Sequence, residues 1–144
     1  MHVSEILKVK GNALFTITPE GRLTEAVSLM AQHNMGSLVV LDKDRLVGML
    51  TFKEILQAVS RGGGALGEAK VREIMERDPV IASPDMELND LRRTMIDSGA
   101  RYLPVIDRDK LVGVVSFRDV AKAALDEQDL ENRMLKGYIK NWPE

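Results

Sequence analysis

Apolar and polar positions follow two periods along this chain, and the same succession of periods occurs twice. Phe15-Thr16-Ile17-Thr18 is a short β-prone run closed by Pro19, and Val80-Ile81-Ala82-Ser83, closed by Pro84, is its counterpart. Leu23, Ala26, Val27, Met30 and Ala31 fall at helical spacing on one stripe, which Leu88, Leu91, Met95 and Ile96 repeat. The continuous apolar runs Leu38–Leu41 and Leu103–Ile106 predict strands buried on both faces, with Pro104 at a strand start or edge because it has no amide to donate. Polar turns at Asp42–Arg45 and Asp107–Lys110 lead into returning strands, Leu46–Leu50 and Leu111–Val115, so two hairpins with four-residue connections are expected. Helices then begin near Thr51 and Ser116. At an offset of 65 residues, Phe15–Val59 matches Val80–Ala124 without a gap. This is an internal repeat of strand, helix, strand, strand, helix.

A short segment precedes each copy. Val3-Ser4-Glu5-Ile6-Leu7 and Val71-Arg72-Glu73-Ile74-Met75 set small apolar anchors around an acidic residue, and each predicts a helical turn leading into its repeat. Their offset is 68, so the first copy has a connection three residues longer, occupied by Lys8-Val9-Lys10-Gly11-Asn12. Its Gly and Asn suit a turn, and its lysines are either solvated or near an anion. Ser60–Gly67 reads as a flexible glycine-rich loop between the copies. From Leu125 to Lys140 the chain is rich in helix formers, with Leu130, Met134, Leu135, Tyr138 and Ile139 on one strip, and predicts a C-terminal helix used partly for self-association. The chain thus divides into a first repeat with its linker (1–70), a second repeat (71–125) and a helical extension (126–144).

Composition narrows the function. With 144 residues the chain can build one real core if both copies share it. A 44% hydrophobic and 29% charged composition with a net charge of -2 is that of a soluble globular protein and lacks the basic footprint of a nucleic-acid binder. Cysteine is absent, which excludes disulfides, thiolate metal sites and a cysteine nucleophile. No secretory signal core and no apolar run near the ~20 residues of a membrane span are present, so a cytoplasmic protein without a membrane partner is expected. His2 and His33 are isolated and support neither a metal site nor a catalytic triad. Without a Walker A sequence or a nucleophile elbow, no catalytic residue is assigned and an enzyme is not expected.

The candidate chemistry lies at the junctions Gly113-Val114-Val115-Ser116-Phe117-Arg118-Asp119 and Gly48-Met49-Leu50-Thr51-Phe52-Lys53-Glu54. A hydroxyl at a helix start, beside free amides and the positive end of the helix dipole, suits a phosphate, which places Ser116 and Thr51. A carboxylate three residues on can accept hydrogen bonds from a ribose diol, the role given to Asp119. Arg118, Arg101 and Lys53 can reach phosphate, Gly113 lets the chain pass close to a ligand, and Tyr102 can stack a base. Val80, Ile81, Leu103 and Pro104 can wall a base pocket or simply fill the core. The same four-residue pattern is also the capping box, in which the two side chains satisfy backbone donors. Glu54 is the residue type the box prefers, so the second junction is the better ligand site and the first a second, weaker one.

These motifs, with Thr18-Pro19, Ser83-Pro84, Met35-Gly36-Ser37-Leu38-Val39-Val40 and Arg101-Tyr102-Leu103-Pro104-Val105, resemble the tandem cystathionine-β-synthase (CBS) domain pair, or Bateman module, over nearly the whole chain. The C-terminal stretch and Leu7-Lys8-Val9-Lys10-Gly11 are similar to bacterial stand-alone pairs. The resemblance implies an α/β (α+β) fold of two βαββα repeats about a pseudo-twofold axis, plus a C-terminal helix. It implies a regulatory ligand, AMP first and otherwise ADP, ATP, NAD(H) or S-adenosylmethionine, with no catalytic cofactor. The main site is expected from Ser116, Asp119, Arg118, Gly113, Arg101, Tyr102, Leu103, Pro104, Val80, Ile81 and Ser83. The second is expected from Thr51, Glu54, Lys53, Ile17, Thr18, Gly36, Ser37 and Leu38. A homodimer through the repeat helices and C-terminal helix, acting on an unidentified protein target, is the expected assembly. The alternative is a ligand-independent dimerisation and interaction platform.

Overall fold

A computed structural model describes residues 1–11 and 14–140; Asn12, expected in a turn, lies outside them. The first copy contains β1 (Thr16–Ile17), α2 (Leu23–Gln32), β2 (Ser37–Asp42), β3 (Arg45–Thr51) and α3 (Phe52–Arg61), preceded by α1 (Val3–Lys10). The second contains α5 (Leu88–Ser98), β5 (Tyr102–Asp107), β6 (Lys110–Ser116) and α6 (Phe117–Lys140), preceded by α4 (Val71–Ile74) and β4 (Glu76–Arg77). One sheet runs β1-β2-β3-β4 and the other β5-β6, so the expected mixed α/β repeat is present twice.

Local chemistry accounts for the hairpins. Asp42 pairs with Arg45 and Asp107 with Lys110, which leaves two-residue turns rather than four-residue connections. Their central residues, Lys43-Asp44 and Arg108-Asp109, all have positive φ, between 51 and 66°, as a type I′ turn requires. The helices before the hairpins also end alike: Gly99 takes the left-handed conformation after α5, and its counterpart after α2 is Asn34, at φ 53°.

The strands expected at Phe15–Thr18 and Val80–Ser83 are shorter, and unequally so. Thr16 and Ile17 pair in parallel with Val39 and Val40, whereas in the second copy Ala82 alone bridges Val105. The Ala82 amide donates to the Pro104 carbonyl and the Ile106 amide to the Ala82 carbonyl, both at 2.9 Å. Pro104 stands where the first copy has Val39. It has no amide to continue that ladder, so the strand shrinks to one bridge. Pro104 itself sits inside β5 with its nitrogen toward this open edge, rather than at the strand start.

The lead-in segments cross over. Val3 and Ile6 of α1 are buried with Leu88, Leu91, Leu103, Val105, Val115 and Val120 of the second copy. Val71 of α4 is buried with Leu23, Ala26, Leu38, Val40 and Leu50 of the first. Backbone hydrogen bonds repeat the exchange: Val3 N–H to Met86 O at 2.9 Å and Leu88 N–H to Met1 O at 2.9 Å match Val71 N–H to Gly21 O at 2.8 Å and Leu23 N–H to Ala69 O at 2.9 Å. Each lead-in turn thus leads into one repeat and completes the core of the other, so neither copy closes its core alone. Gly113 faces the Leu7 side chain and Gly48 that of Met75, the equivalent contact across the pseudo-twofold axis.

After Leu7 and Met75 the lead-ins diverge. In the first, the three extra residues extend α1 by a turn that ends at Lys10. In the second, the chain leaves α4 and adds β4 to the sheet, pairing Arg77 with Gly48 and Glu76 with Met49. The helix after Ser116 is continuous to Lys140, and the expected C-terminal helix is the distal part of α6. Leu130, Met134 and Leu135 on it are 57–67% exposed. The side chains of Tyr138 and Ile139, expected on the same strip, lie outside the described residues. No described helix is long and apolar enough to cross a membrane.

Candidate functional site

A cleft of about 880 Å³ opens at the second copy's strand-to-helix junction. Its lining includes residues from the junction and the turn before β5 (Arg101, Tyr102, Gly113, Ser116, Arg118, Asp119), the turn before β2 (Met35, Gly36, Ser37), the exchanged lead-in (Leu7, Lys10, Leu14, Phe15) and the end of α5 (Met95, Ile96). The crossover brings the third set there. Because α1 lies on the second copy, Lys10 at its end, together with Leu14 and Phe15 before β1, lines the second copy's junction.

The junction itself is a closed capping box. The Asp119 amide donates to Ser116 Oγ at 3.1 Å, and the Ser116 amide donates to Asp119 Oδ2 at 2.8 Å. The capping-box pattern is therefore realised, and it holds the carboxylate through Oδ2. Lys10 Nζ adds a second donor to the same oxygen at 2.8 Å and also donates to the Val114 carbonyl at 2.9 Å. Asp119 Oδ1 makes no hydrogen bond to the described residues. Burial pushes the Asp119 carboxyl up, but the hydrogen bond from Lys10, the Ser116 amide and the Lys10 charge outweigh it and hold the group below the ordinary aspartate range. The result is an ionised carboxylate with one oxygen committed and the other open.

Across the cleft, the Tyr102 hydroxyl lies so close over Gly36 that a Cβ there would collide with it. Gly36 and Ser37 were expected at the second site but line this one. They are the counterparts of Arg101 and Tyr102, and the two turns meet near the pseudo-twofold axis. Phe15 adds a second aromatic wall, backed by His33, whose ring stacks on it at 4.1 Å between centroids.

Other expected residues lie elsewhere. Leu103 and Pro104 are buried in β5 and are not among the residues that line the cleft. Val80 and Ile81 are exposed and outside it, because the chain reaching them comes from β4 on the first copy's sheet. The wall position given to Val80 is filled by its counterpart, Phe15. Ser83 is likewise outside, its hydroxyl donating to Asp85 at 2.6 Å. At the first junction the Thr51 amide and hydroxyl both donate to Glu54 Oε1, at 2.8 and 2.7 Å, and Glu54 is 5% exposed. Thr51, Lys53 and Glu54 do not line the large cleft, nor do Ile17 in β1, the exposed Thr18 or the core residue Leu38. Sequence reasoning missed Leu14 and Phe15 and left Lys10 undecided. The one pointer was the change of offset from 65 to 68. Among the described residues no acidic or histidine cluster could hold a metal ion.

The CBS-domain family model matches residues 3–61 and 71–126. The chain is 37% identical over 107 residues to the CBS domain-containing protein YhcV of Bacillus subtilis, covering 74% of this chain and 75% of that protein. The solved CBS domain pair of MJ0100, in complex with 5′-methylthioadenosine and S-adenosyl-L-methionine, superposes with a TM-score of 0.78 at 23% identity, over 88% of this chain and 98% of that one. The structure of CBSX2 in complex with AMP superposes with a TM-score of 0.73 at 22% identity, over 88% and 98%. With two matched repeats that exchange their lead-in turns, the chain belongs to the CBS-domain family, as a CBS pair.

Proposed function

We propose that this CBS pair is a non-catalytic regulatory module that binds an adenine nucleotide in the cleft at Ser116–Asp119 and converts its level into a change of conformation or partner binding. One observation carries the reading: Asp119 is ionised, held by Ser116 and Lys10 through Oδ2, has Oδ1 without a hydrogen bond among the described residues, and lines a space walled by aromatic and cationic side chains. A ribose diol supplies the donors Oδ1 lacks, Tyr102 and Phe15 offer faces for a base, and Arg101, Arg118 and the start of α6 suit phosphate. AMP comes first among candidates, with ADP, ATP, NAD(H) and S-adenosylmethionine behind it. The adenosyl compounds in MJ0100 and CBSX2 support the class of ligand. We place the module in the cytoplasm, as a homodimer that acts on a separate protein.

Calorimetric titration of AMP, ATP, NADH and S-adenosylmethionine tests this. At least one is expected to bind with one dominant site per chain, and Asp119→Ala to weaken it at least tenfold. Failure of all four to bind at millimolar concentration would sink the reading. Exposed Leu125, Leu130, Met134 and Leu135 on α6, with Phe52 and Leu56 on α3, favour a second one, a ligand-independent dimerisation platform. On that reading Asp119→Ala leaves assembly intact, whereas truncation before Leu130 abolishes it.

A further inference from the structure

We infer that Lys10 sets the charge specificity of the cleft, making it prefer adenosyl ligands that carry an anionic group over neutral or cationic ones. The inference rests on the nucleotide-binding reading above. Lys10 is delivered by the extra turn of α1, a turn the second lead-in lacks because it becomes β4. Its ammonium is anchored twice, on the Val114 carbonyl at 2.9 Å and Asp119 Oδ2 at 2.8 Å, which leaves its third N–H unused among the described residues.

The consequence is electrostatic. Asp119 is the one carboxylate among the described residues lining the cleft; the other charged groups there are Lys10, Arg101 and Arg118. A carboxylate that must accept ribose hydroxyls would by itself repel the phosphate on the same ligand. Lys10 cancels that charge at contact distance while leaving Oδ1 free to accept. Charges a few ångströms apart in a half-open cleft change affinity by roughly tenfold. The first junction has no such arrangement: Gly36 stands for Arg101, Lys53 for Arg118 and Glu54 for Asp119, and nothing stands for Lys10. The same asymmetry directs an anionic ligand to the second junction.

The test is calorimetry of the full chain with AMP, adenosine and S-adenosylmethionine, on wild type and on Lys10→Met, Lys10→Gln and Lys10→Arg. The side chain is partly exposed at the end of α1 and the core anchors Val3 and Ile6 are untouched, so the variants should fold. The Met and Gln variants are expected to bind AMP about tenfold more weakly and adenosine within about twofold of wild type, and to shift preference from AMP toward S-adenosylmethionine. Arg should retain the AMP preference, and the gap between wild type and Lys10→Met should narrow as salt is raised. An unchanged AMP-to-adenosine ratio, or an equal fall in both, overturns the role of Lys10 alone. A wild-type chain that binds none of the three overturns the nucleotide reading and this inference with it.

Discussion

If each lead-in turn completes the core of the other copy, chemically identical substitutions should damage opposite halves of the molecule. Val3 and Val71 are both fully buried, the first among second-copy side chains and the second among first-copy ones. Changing either to Ala removes two carbons, about 1.6 kcal/mol at roughly 0.8 kcal/mol per buried methylene. The cavity left in a close-packed site raises this to about 2–3 kcal/mol. For a chain of this size that is a fall in Tm of roughly 4–10 °C. Urea unfolding gives the size of the loss and native-state hydrogen exchange its location. Val3→Ala should lower protection first in β5, β6 and α5, and Val71→Ala in β2, β3 and α2. Loss of protection in β2 and β3 from Val3→Ala, with β5 and β6 spared, would refute the crossover. So would identical exchange patterns from the two variants.

Two further expectations follow from contacts at the junctions. A Cβ on Gly48 would stand 2.8 Å from the Glu76 carbonyl and 2.6 Å from Met75 Sδ, whereas one on Gly113 meets only the flexible end of Leu7, at 2.7 Å. Gly48→Ala must displace backbone and should cost about 2–3 kcal/mol, against about 1 kcal/mol or less for Gly113→Ala; equal unfolding midpoints would contradict this. The depressed Asp119 carboxyl gives a pH dependence: its contribution is complete above the ordinary aspartate value of about 3.9 and is lost as pH falls through the lower value of the folded state. With both partners partly exposed the Lys10 pair is worth about 0.5–1 kcal/mol. Asp119→Asn should therefore be slightly less stable than wild type at pH 7 and match it near pH 2, by urea midpoints at each pH.

The repeat, the hairpins and the amphipathic helices were legible because each rests on a local pattern that tertiary packing did not override. Lys43-Asp44 and Arg108-Asp109 needed only local turn chemistry, although the strands ran closer to the turns than apolar character suggested. The crossover was not legible, since Val3-Ser4-Glu5-Ile6 states that a turn has a buried face and not which core buries it. Glu76-Arg77 carries no apolar signal either, and is a strand only because Gly48 and Met49 offer an unpaired edge. At the site, Ser116 and Asp119 were visible from spacing, and Arg101, Tyr102 and Gly113 from their neighbours. Val80 and Ile81 lie outside this cleft for one topological reason: the second junction faces Phe15 of the first copy rather than the start of its own repeat.

The same exchange bears on how a bound nucleotide could be sensed. A ligand shifts a conformational equilibrium only by the difference in its affinity for the two states, and couplings of this kind are typically about 1–3 kcal/mol. Contacts confined to one rigid repeat would bind without discriminating. This cleft is bounded by Ser116–Asp119 on the second copy, by Gly36 and Ser37 on the first, by Lys10 at the end of α1 and by Leu14 and Phe15 just before β1. α1 is anchored in the second core through Val3 and Ile6, and β1 in the first sheet through Thr16 and Ile17. A nucleotide filling this cleft would touch both copies, Asp119 and Lys10 on the second and Gly36 and Ser37 on the first, so a relative movement of the copies would change its contacts. Lys10 and Asp119 are the place to measure such coupling, because their ion pair joins the end of α1 to the helix that runs out to the exposed apolar strip.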